Sequence, residues 1–585
     1  MNELRSLFPY VRKHAWSYVL GLLCLALTSG SQILIPQFLR VAIDHITSGS
    51  FEIAWIGRLM LGLVGVSVVI AAGRFGWRYF IHGASRRIER ELRGRLFEKF
   101  LSLQPSFYNR SHIGDLMARS TNDMNAVRMA SGMALVALFD GLFMTIAILV
   151  ILFSQQPAIA LVAIIPLPLI TVLTLFLGGF IRGMFRSVQE GFSQLSQQTQ
   201  EVFSGVRVVK SFVKEAFFLG KFRDANETYQ ERNMRLVRVW GLFFPVVTFL
   251  AGIMTLILLR FGGEAVIMGD VSAGDFVATL SYLEMLIWPM LGAGMTINML
   301  QRGAASLGRI NAVLNEEPEI TNPPDPVTTM SSTAISIRGL SFSYEAADAG
   351  AEQEPALHDI RLEIPEGTIL GILGRTGSGK STLLRLLPRL QNPPRGTVFI
   401  GGVDVLDYDL ATLRSAFGAV PQDTFLFSAS LRENIAYAAD EADDRLIRHV
   451  SDVSTISRDV RILPDGWETQ VGERGITLSG GQKQRVAISR ALAKDPRILV
   501  FDDALSAVDT ETEELILNQL LKEREGRTSI IVSHRVSTLS TADHVAVLDR
   551  GRLVQYGTHE ELLARDGFYR EVATLQQLSR AKTSH

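Results

Sequence analysis

Gly374-Arg375-Thr376-Gly377-Ser378-Gly379-Lys380-Ser381-Thr382 fits the G-x-x-x-x-G-K-[ST] phosphate-loop pattern in full. Before it, Gly367-Thr368-Ile369-Leu370-Gly371-Ile372-Leu373 reads as a buried strand; after it, Leu383-Leu384-Arg385-Leu386-Leu387 has the apolar spacing of a helix just starting. Those flanks are the context the motif requires. The glycines let backbone N–H groups curl around the β- and γ-phosphates, and the following helix directs its positive end at the same charge. Lys380 would reach the β- and γ-phosphates, and the Ser381 hydroxyl would ligate Mg²⁺. A glycine-rich turn with a surface lysine would account for the glycines alone, not for the strand and helix on either side. The stretch is read as a nucleoside triphosphate site.

Around this site the chain divides in two. Its 585 residues exceed one ordinary domain. Residues 1–310 hold several long apolar runs, whereas residues 334–585 read as a soluble α/β domain. The net charge of −1 gives no bulk electrostatic case for nucleic acid. The single cysteine, Cys24, lies in an apolar run, which excludes disulfides within the chain and makes a thiolate metal cluster implausible.

Six stretches are long enough to cross a hydrocarbon core as helix, near 16–38, 55–81, 133–153, 157–180, 239–262 and 275–299. The first follows Arg5, Arg12 and Lys13, is too long for a signal-peptide core and lacks a small-residue cleavage site, so it reads as a retained span. The loop after the second span is rich in arginine, from Arg86 to Arg128, and the loop after the fourth runs from Arg182 to Arg238 in the same style. The connections at 154–156 and 263–274 carry no Lys or Arg. The positive-inside rule therefore places both termini and both long loops in the cytoplasm. Helical periodicity in 88–103 and 187–202 predicts that the spans continue as helices beyond the bilayer. Breaks are expected at Asn109–Asp115 and Phe203–Arg207, where short transverse helices could touch the cytoplasmic domain; plain polar turns are the alternative.

Ionisable residues inside spans are costly and normally face a wet cavity or a partner. Arg74 and Arg78 can snorkel from the second span. Glu284 lies about ten residues into the sixth span, hence near mid-membrane at a rise of about 1.5 Å per residue. Glu284 and Asp140 are the candidate cavity residues, against a structural contact between helices.

The proline-rich, aperiodic stretch within 316–333 reads as a linker between a membrane domain of residues 1–315 and a domain of residues 334–576, with 577–585 as a tail. Ala334-Ile335-Ser336-Ile337-Arg338 is expected to open the second domain as an edge strand, followed by Leu340-Ser341-Phe342-Ser343-Tyr344. Farther along stand Val420-Pro421-Gln422-Asp423, Leu478-Ser479-Gly480-Gly481-Gln482, Ile498-Leu499-Val500-Phe501-Asp502, Ser506-Ala507-Val508-Asp509 and Val532-Ser533-His534-Arg535. With the phosphate loop, this ordered set resembles the nucleotide-binding domain of an ATP-binding-cassette (ABC) transporter. Together with the six spans the chain resembles a bacterial B-type ABC exporter half-transporter over nearly its whole length. The implied architecture is a multi-domain membrane protein: a six-helix transmembrane domain of the type I exporter fold, then an α/β P-loop nucleotide-binding domain.

The resemblance implies roles. Tyr344 matches the aromatic residue that stacks on adenine. Gln422 matches the Q-loop glutamine, which contacts Mg²⁺ and the attacking water. Thr469-Gln470-Val471-Gly472-Glu473-Arg474-Gly475 resembles the exporter segment that meets the transverse helices. Asp502 would hold Mg²⁺, Asp509 belongs to the D-loop, and His534 matches the switch histidine near the γ-phosphate. Leu478–Gln482 is the signature, which completes the site of a second nucleotide domain, so the chain is expected to work as a dimer. Its serine and glycines supply hydroxyl and N–H donors, a second phosphate cradle.

One departure stands out. The family's Walker B pair is Asp-Glu, and here it is Asp502-Asp503. A carboxylate one methylene short would sit roughly 1 Å from its best position, a misplacement that can cost about 10²-fold in rate. The resemblance thus narrows to the degenerate-site half of a heterodimeric exporter, whose partner carries the Walker B glutamate; a homodimer using Asp503 as a weaker base is the alternative. The implied activity is ATP-driven export of lipophilic or amphipathic compounds across a bacterial inner (plasma) membrane. A lipid or lipopeptide flippase, a metal–thiol conjugate exporter and a non-pumping ATP-gated subunit compete with it, whereas a soluble ATPase acting on DNA or ribosomes conflicts with the fused spans.

Overall fold

The computed structural model describes residues 2–49, 53–155, 157–344, 354–439, 441–472, 478–523 and 526–583. Gln156, Glu473, Arg474, Gly475 and the final 584–585, all within stretches singled out above, lie outside the described residues. The chain forms two compact units, Met1–Leu101 with Ile113–Glu316, and Ser102–His112 with Glu317–His585.

Among the described residues of the first unit, six helical stretches are long and apolar enough to cross a membrane: Ala15–Thr47, Ala54–Ser102, Ile113–Gln155, Ile159–Ser204, Glu215–Met268 and Ala273–Leu314. Each outruns the apolar core expected for it, because amphipathic sequence continues the same 3.6-residue periodicity. The last is broken at Leu286, between helices Ala273–Met285 and Ile287–Leu314. Large apolar side chains point outward, Trp16 at 81% exposure and Phe176 at 74% among them, as suits helices solvated by lipid rather than water. The inner faces pack Ile33, Met144, Ile148, Met254, Leu258 and Leu283 together. Two buried polar groups of this unit tie its helices together. The fully buried Tyr282 hydroxyl donates to the Ile33 carbonyl and accepts from Gln37 Nε2, both at 2.9 Å, close to Pro36 within the first helix. Buried Asp123 accepts from Ser306 Oγ at 2.8 Å and pairs with Arg309, joining the helical extension of the third span to that of the sixth.

The first expected break falls at residues 111–112, inside 109–115, and another break precedes it at 103–104. The chain leaves the second long helix at Ser102, forms the short helix Pro105–Arg110, and turns again at an extended Ser111. Asn109 and Arg110 are therefore helical rather than broken: Pro105 at the start of a helix fixes φ and needs no N–H partner there. Within the second unit this helix is held by the Glu319 N–H donating to Gln104 Oε1 at 3.2 Å. The second break falls at Gly205, with helix Val206–Ser211 following.

The second unit is built on twelve strands among the described residues: β1 (Ile335–Phe342), β2 (Leu357–Ile364), β3 (Ile369–Gly374), β4 (Val398–Ile400), β5 (Val403–Asp404), β6 (Phe417–Val420), β7 (Ala429–Ser430), β8 (Gln470–Val471), β9 (Ile498–Asp502), β10 (Thr528–Val532), β11 (His544–Asp549) and β12 (Arg552–Gly557). One sheet has the order β2-β1-β4-β5, a second β12-β11-β3-β10-β9-β6, and β7 pairs with β8. β1 is thus not an edge strand: it is flanked by β2 and β4, and Ile335 and Ile337 enter the core at 0% and 2% exposure. Its continuation through Leu340–Phe342 shifts register after Gly339, which adopts φ +63°. In the larger sheet β11, β3, β10, β9 and β6 run parallel, and β3 and β10 are buried along their whole length, as a sheet covered on both faces requires.

Candidate nucleotide site

Parallel strands deliver their carboxyl ends to one edge of a sheet, and that edge is where such folds place ligands. Here β3 ends in the phosphate loop, β10 in Ser533-His534, β9 in Asp503 and β6 in Pro421-Gln422. Register fixes how these ends lie side by side: Val532 is opposite both Ile372 and Asp502, and Val420 is opposite Phe501. The topology thereby brings Lys380, Ser381, Gln422, Asp502, Asp503 and His534, from segments spread over residues 380–534, to one rim.

The loop itself is shaped by glycine. Gly377 and Gly379 adopt φ +79° and +95°, and a Cβ at Gly379 would meet the Ala356 carbonyl at 2.7 Å. Gly374, Arg375, Thr376 and Gly377 lead into buried Ser378, whose Oγ has no hydrogen-bond partner. Helix Lys380–Leu386 then begins with no side-chain cap. Lys380 Nζ curls back onto the Gly374 and Arg375 carbonyls, each at 2.8 Å. Burial holds its ammonium below the ordinary lysine value, with Asp502 and Asp503 pulling the other way. A buried cation resting on carbonyls, an orphaned hydroxyl and uncapped N–H groups suit a polyanionic ligand. Thr382 Oγ1 shares a 2.8 Å hydrogen bond with the Tyr344 hydroxyl, so the expected adenine platform is tethered to the phosphate-loop helix; its ring packs edge-on to Phe342 at 5.3 Å.

Asp503 follows β9 in a left-handed conformation, φ +51°, with its N–H donating to the Val532 carbonyl at 3.1 Å. Burial lifts its carboxyl above the ordinary aspartate value; Asp502 adds to the rise, while His534 and Lys380 oppose it. Gln422 and His534 are exposed at the rim.

The signature lies elsewhere in the domain. Ser479 caps helix Gly480–Ala493: its Oγ accepts from the Gln482 N–H at 3.3 Å, and Gln482 Oε1 accepts from the Ser479 N–H at 2.9 Å. Leu478 is buried, and Gly481 lies against the Ala507 carbonyl, where a Cβ would meet it at 2.8 Å. Asp509 caps helix Thr510–Lys522 by accepting from the Thr512 N–H at 2.9 Å, a bond that lowers its carboxyl's pKa.

Two residues that the motifs did not single out connect these parts. Buried Gln484 donates to Ser506 Oγ at 3.1 Å and accepts from the Ala507 N–H at 3.0 Å, joining the signature helix to the D-loop. Glu513, 3% exposed, pairs with Arg535 and accepts from Thr538, joining the helix after the D-loop to the switch segment. Gln484 stands two residues past a motif and Glu513 four past another, and that adjacency was the only signal in the sequence. In the membrane unit, Asp140 Oδ1 accepts from Ser29 Oγ at 2.5 Å, whereas Glu284 is exposed in the last turn of its helix. No hydrogen bond or ion pair links the two among the described residues.

The comparisons agree with this geometry. The family described as ABC transporter transmembrane region matches residues 18–290, and the family described as ABC transporter matches residues 357–506. The chain is 35% identical over 586 residues to the "Probable multidrug resistance ABC transporter ATP-binding/permease protein YheI" of Bacillus subtilis, covering 99% of each chain. It is 34% identical to the "Multidrug resistance-like ATP-binding protein MdlA" of Escherichia coli, over 99% of this chain and 98% of that one. Among solved structures, that of a bacterial Atm1-family ABC exporter with ATP bound superposes with a TM-score of 0.77 at 26% identity, over 97% of this chain and 99% of that one. A complete phosphate loop, a signature and six spans in one chain, matched end to end by such relatives, make it a multi-pass membrane protein of the ABC transporter family: an exporter half-transporter whose ATPase domain works as part of a dimer.

Proposed function

We propose that this chain is one half of a heterodimeric exporter that moves lipophilic or amphipathic compounds across a bacterial inner membrane, both termini being cytoplasmic, and that its own ATP site is the slower of two. The observation that carries the reading is Asp503, at the end of β9 beside His534 and Lys380, where the family carries glutamate. Its backbone is fixed by the bond to Val532, so the missing methylene cannot be recovered by a shift of the chain. The signature, by contrast, is intact and capped, ready to complete a partner's site. Ser381, Asp502 and Gln422 would hold Mg²⁺, which supplies charge neutralisation at the phosphates. Asp503 would orient the attacking water, and His534 would stand near the γ-phosphate. Multidrug-type cargo is supported by the names of the relatives from Bacillus subtilis and Escherichia coli. Asp140 and Glu284 are proposed to favour cationic compounds; loss of substrate-stimulated ATPase when both acids are removed tests this.

The deciding experiment is ATP hydrolysis by the chain purified alone, as encoded, as Asp503→Glu, and as Lys380→Ala for the blank. A nearly silent encoded chain that gains about 10²-fold with glutamate supports the slow site. Turnover at ordinary exporter rates in the encoded chain would instead make Asp503 an adequate base and the protein a self-sufficient homodimer. Silence in both forms points to a missing partner and is followed by co-purification.

A further inference from the structure

The switch segment is gripped from the C-terminal helix. In helix Phe568–Thr583, Gln576 Oε1 accepts from the Val536 N–H at 2.9 Å, and Gln576 Nε2 donates to the His534 carbonyl at 2.7 Å. One amide thus spans residues 534 and 536 as a neighbouring strand would, at the point where β10 has ended and the sheet no longer pairs the backbone. The rest of the segment is tied from other directions: the Ser533 N–H donates to the Ile372 carbonyl at 3.3 Å, the Arg535 N–H donates to Ser533 Oγ at 3.0 Å, and Arg535 pairs with Glu513. The helix that carries Gln576 is itself anchored. Tyr569 is fully buried, shares a 2.7 Å bond with His559 Nδ1 and donates its N–H to Gln555 Oε1 at 3.1 Å, while Ala573 is 3% exposed. Eight residues before Gln576, the Phe568 ring lies 5.0 Å from the guanidinium carbon of Arg375 in the phosphate loop.

We propose that Gln576 is a positioning residue for His534, so that the C-terminal helix sets where the switch histidine stands relative to the phosphate loop. The inference rests on the reading of His534 as the residue near the γ-phosphate. The His534 side chain is exposed, so its place is determined by the backbone that carries it, and Gln576 fixes that backbone at residue 534 and two residues on. The clamp acts on turnover rather than on nucleotide affinity, because none of its bonds involves a phosphate-loop donor.

The test uses the full-length chain in detergent as Gln576, Gln576→Ala and Gln576→Glu. Hydrogen exchange is read over residues 533–537 and 568–575, and turnover is read in the Asp503→Glu chain, so that a slow encoded site does not hide the effect. Gln576→Ala is expected to speed exchange over 533–537 selectively and to lower kcat about tenfold with KM for ATP within about twofold, the scale of a sub-ångström misplacement. Gln576→Glu keeps the acceptor for Val536 but turns a carboxylate toward the His534 carbonyl, so exchange at Val536 stays slow while kcat falls. Unchanged exchange, or faster exchange with kcat intact, overturns the proposal. So does a rise that spreads over 568–575 together with a matching rise in KM, which marks a helix that is merely structural. If the Asp503→Glu chain is itself silent, a partner is missing and turnover reports nothing about the clamp. The clamp is then decided by exchange alone: ATP protects 533–537 in the Gln576 chain but not in Gln576→Ala, and equal protection in both sinks it.

Discussion

The phosphate loop and the signature both open a helix with glycine, and the two helix starts are finished differently. The phosphate-loop helix follows Gly379 at φ +95° and has no side-chain cap, so its first N–H groups are left to a ligand. The signature helix is closed by its own Ser479–Gln482 box, and Gln482 Nε2 is further held by Asp459 at 2.8 Å. The Ser479 oxygen accepts from the Gln482 N–H, which leaves the hydroxyl hydrogen free to donate. Glycine geometry therefore holds open one cradle made mostly of backbone, while capping aims a single side-chain donor in the other. In the first, ligand binding and fold rest on separate residues. In the second, the proposed phosphate donor Ser479 is also the helix cap.

The largest effect that would break this contrast belongs to Lys380. Among the described residues its ammonium hydrogen-bonds the Gly374 and Arg375 carbonyls of its own loop, with Asp502 and Asp503 acting on it only through their charge. Charge-assisted hydrogen bonds to phosphate are worth roughly 1.5–3 kcal/mol each, so Lys380→Ala should weaken ATP binding by about 10²-fold or more. The unfolding midpoint without nucleotide should hold, and the upward shift that ATP produces should vanish. A large drop in the nucleotide-free midpoint would show that the phosphate loop, too, mixes fold with function.

Ser479 is the sharper probe, with a smaller effect. Ser479→Ala removes an N-cap and should cost about 1 kcal/mol of domain stability, together with roughly tenfold of turnover at the site the signature completes. Ser479→Thr keeps the oxygen and should retain most of the stability. Equal stability for serine and alanine in denaturant unfolding would mean that the capping box contributes nothing, and the contrast with the phosphate loop would be lost.

How much of this was legible follows from what each feature depends on. The spans and the phosphate loop depend on local periodicity and contiguous residues, so the sequence displays them; β9 runs over Ile498–Asp502, the stretch the family resemblance implied as a strand. The extent of the membrane helices was harder, since amphipathic extensions such as Gly83–Ser102 lack the apolar density of a span. The short helix Pro105–Arg110 starts ahead of the expected break at 109–115 because Pro105, a residue suited to a helix start, opens it. Strand β1 looked like an edge because pairing on both sides requires β2 and β4, neither predictable from residues 334–338. Gln484, Glu513 and Gln576 were invisible for the same reason: a glutamine or glutamate in a helix reads as surface until the fold sets a loop beside it. Asp140 showed as a charge in a span, but its bond to Ser29 could not be read from one helix alone.

The smallest expected effect concerns Asp503 and separates what the residue does for stability from what it does for chemistry. Burial raises its carboxyl above the ordinary aspartate value, with Asp502 adding and His534, Lys380 and a Ser506 bond subtracting. A carboxyl whose folded value is raised is most favourable to folding when protonated. Its contribution is fully present below the unfolded value and is lost as pH rises through the folded one. At neutral pH the ionised Asp503 therefore opposes folding slightly, and Asp503→Asn should raise the unfolding midpoint while abolishing turnover. Asparagine also tolerates the left-handed φ of +51° that this position adopts. Glutamate tolerates it less well, so Asp503→Glu should gain turnover yet lose stability, by under about 1 kcal/mol given the opposing Lys380 and the partial solvation of the site. Unfolding midpoints at pH 5 and pH 8 check the sign: the advantage of asparagine over aspartate should widen toward the higher pH. A gap that narrows instead would mean that His534 and Lys380 outweigh burial, leaving Asp503 favoured as the anion and better suited to orient water than its missing methylene implies.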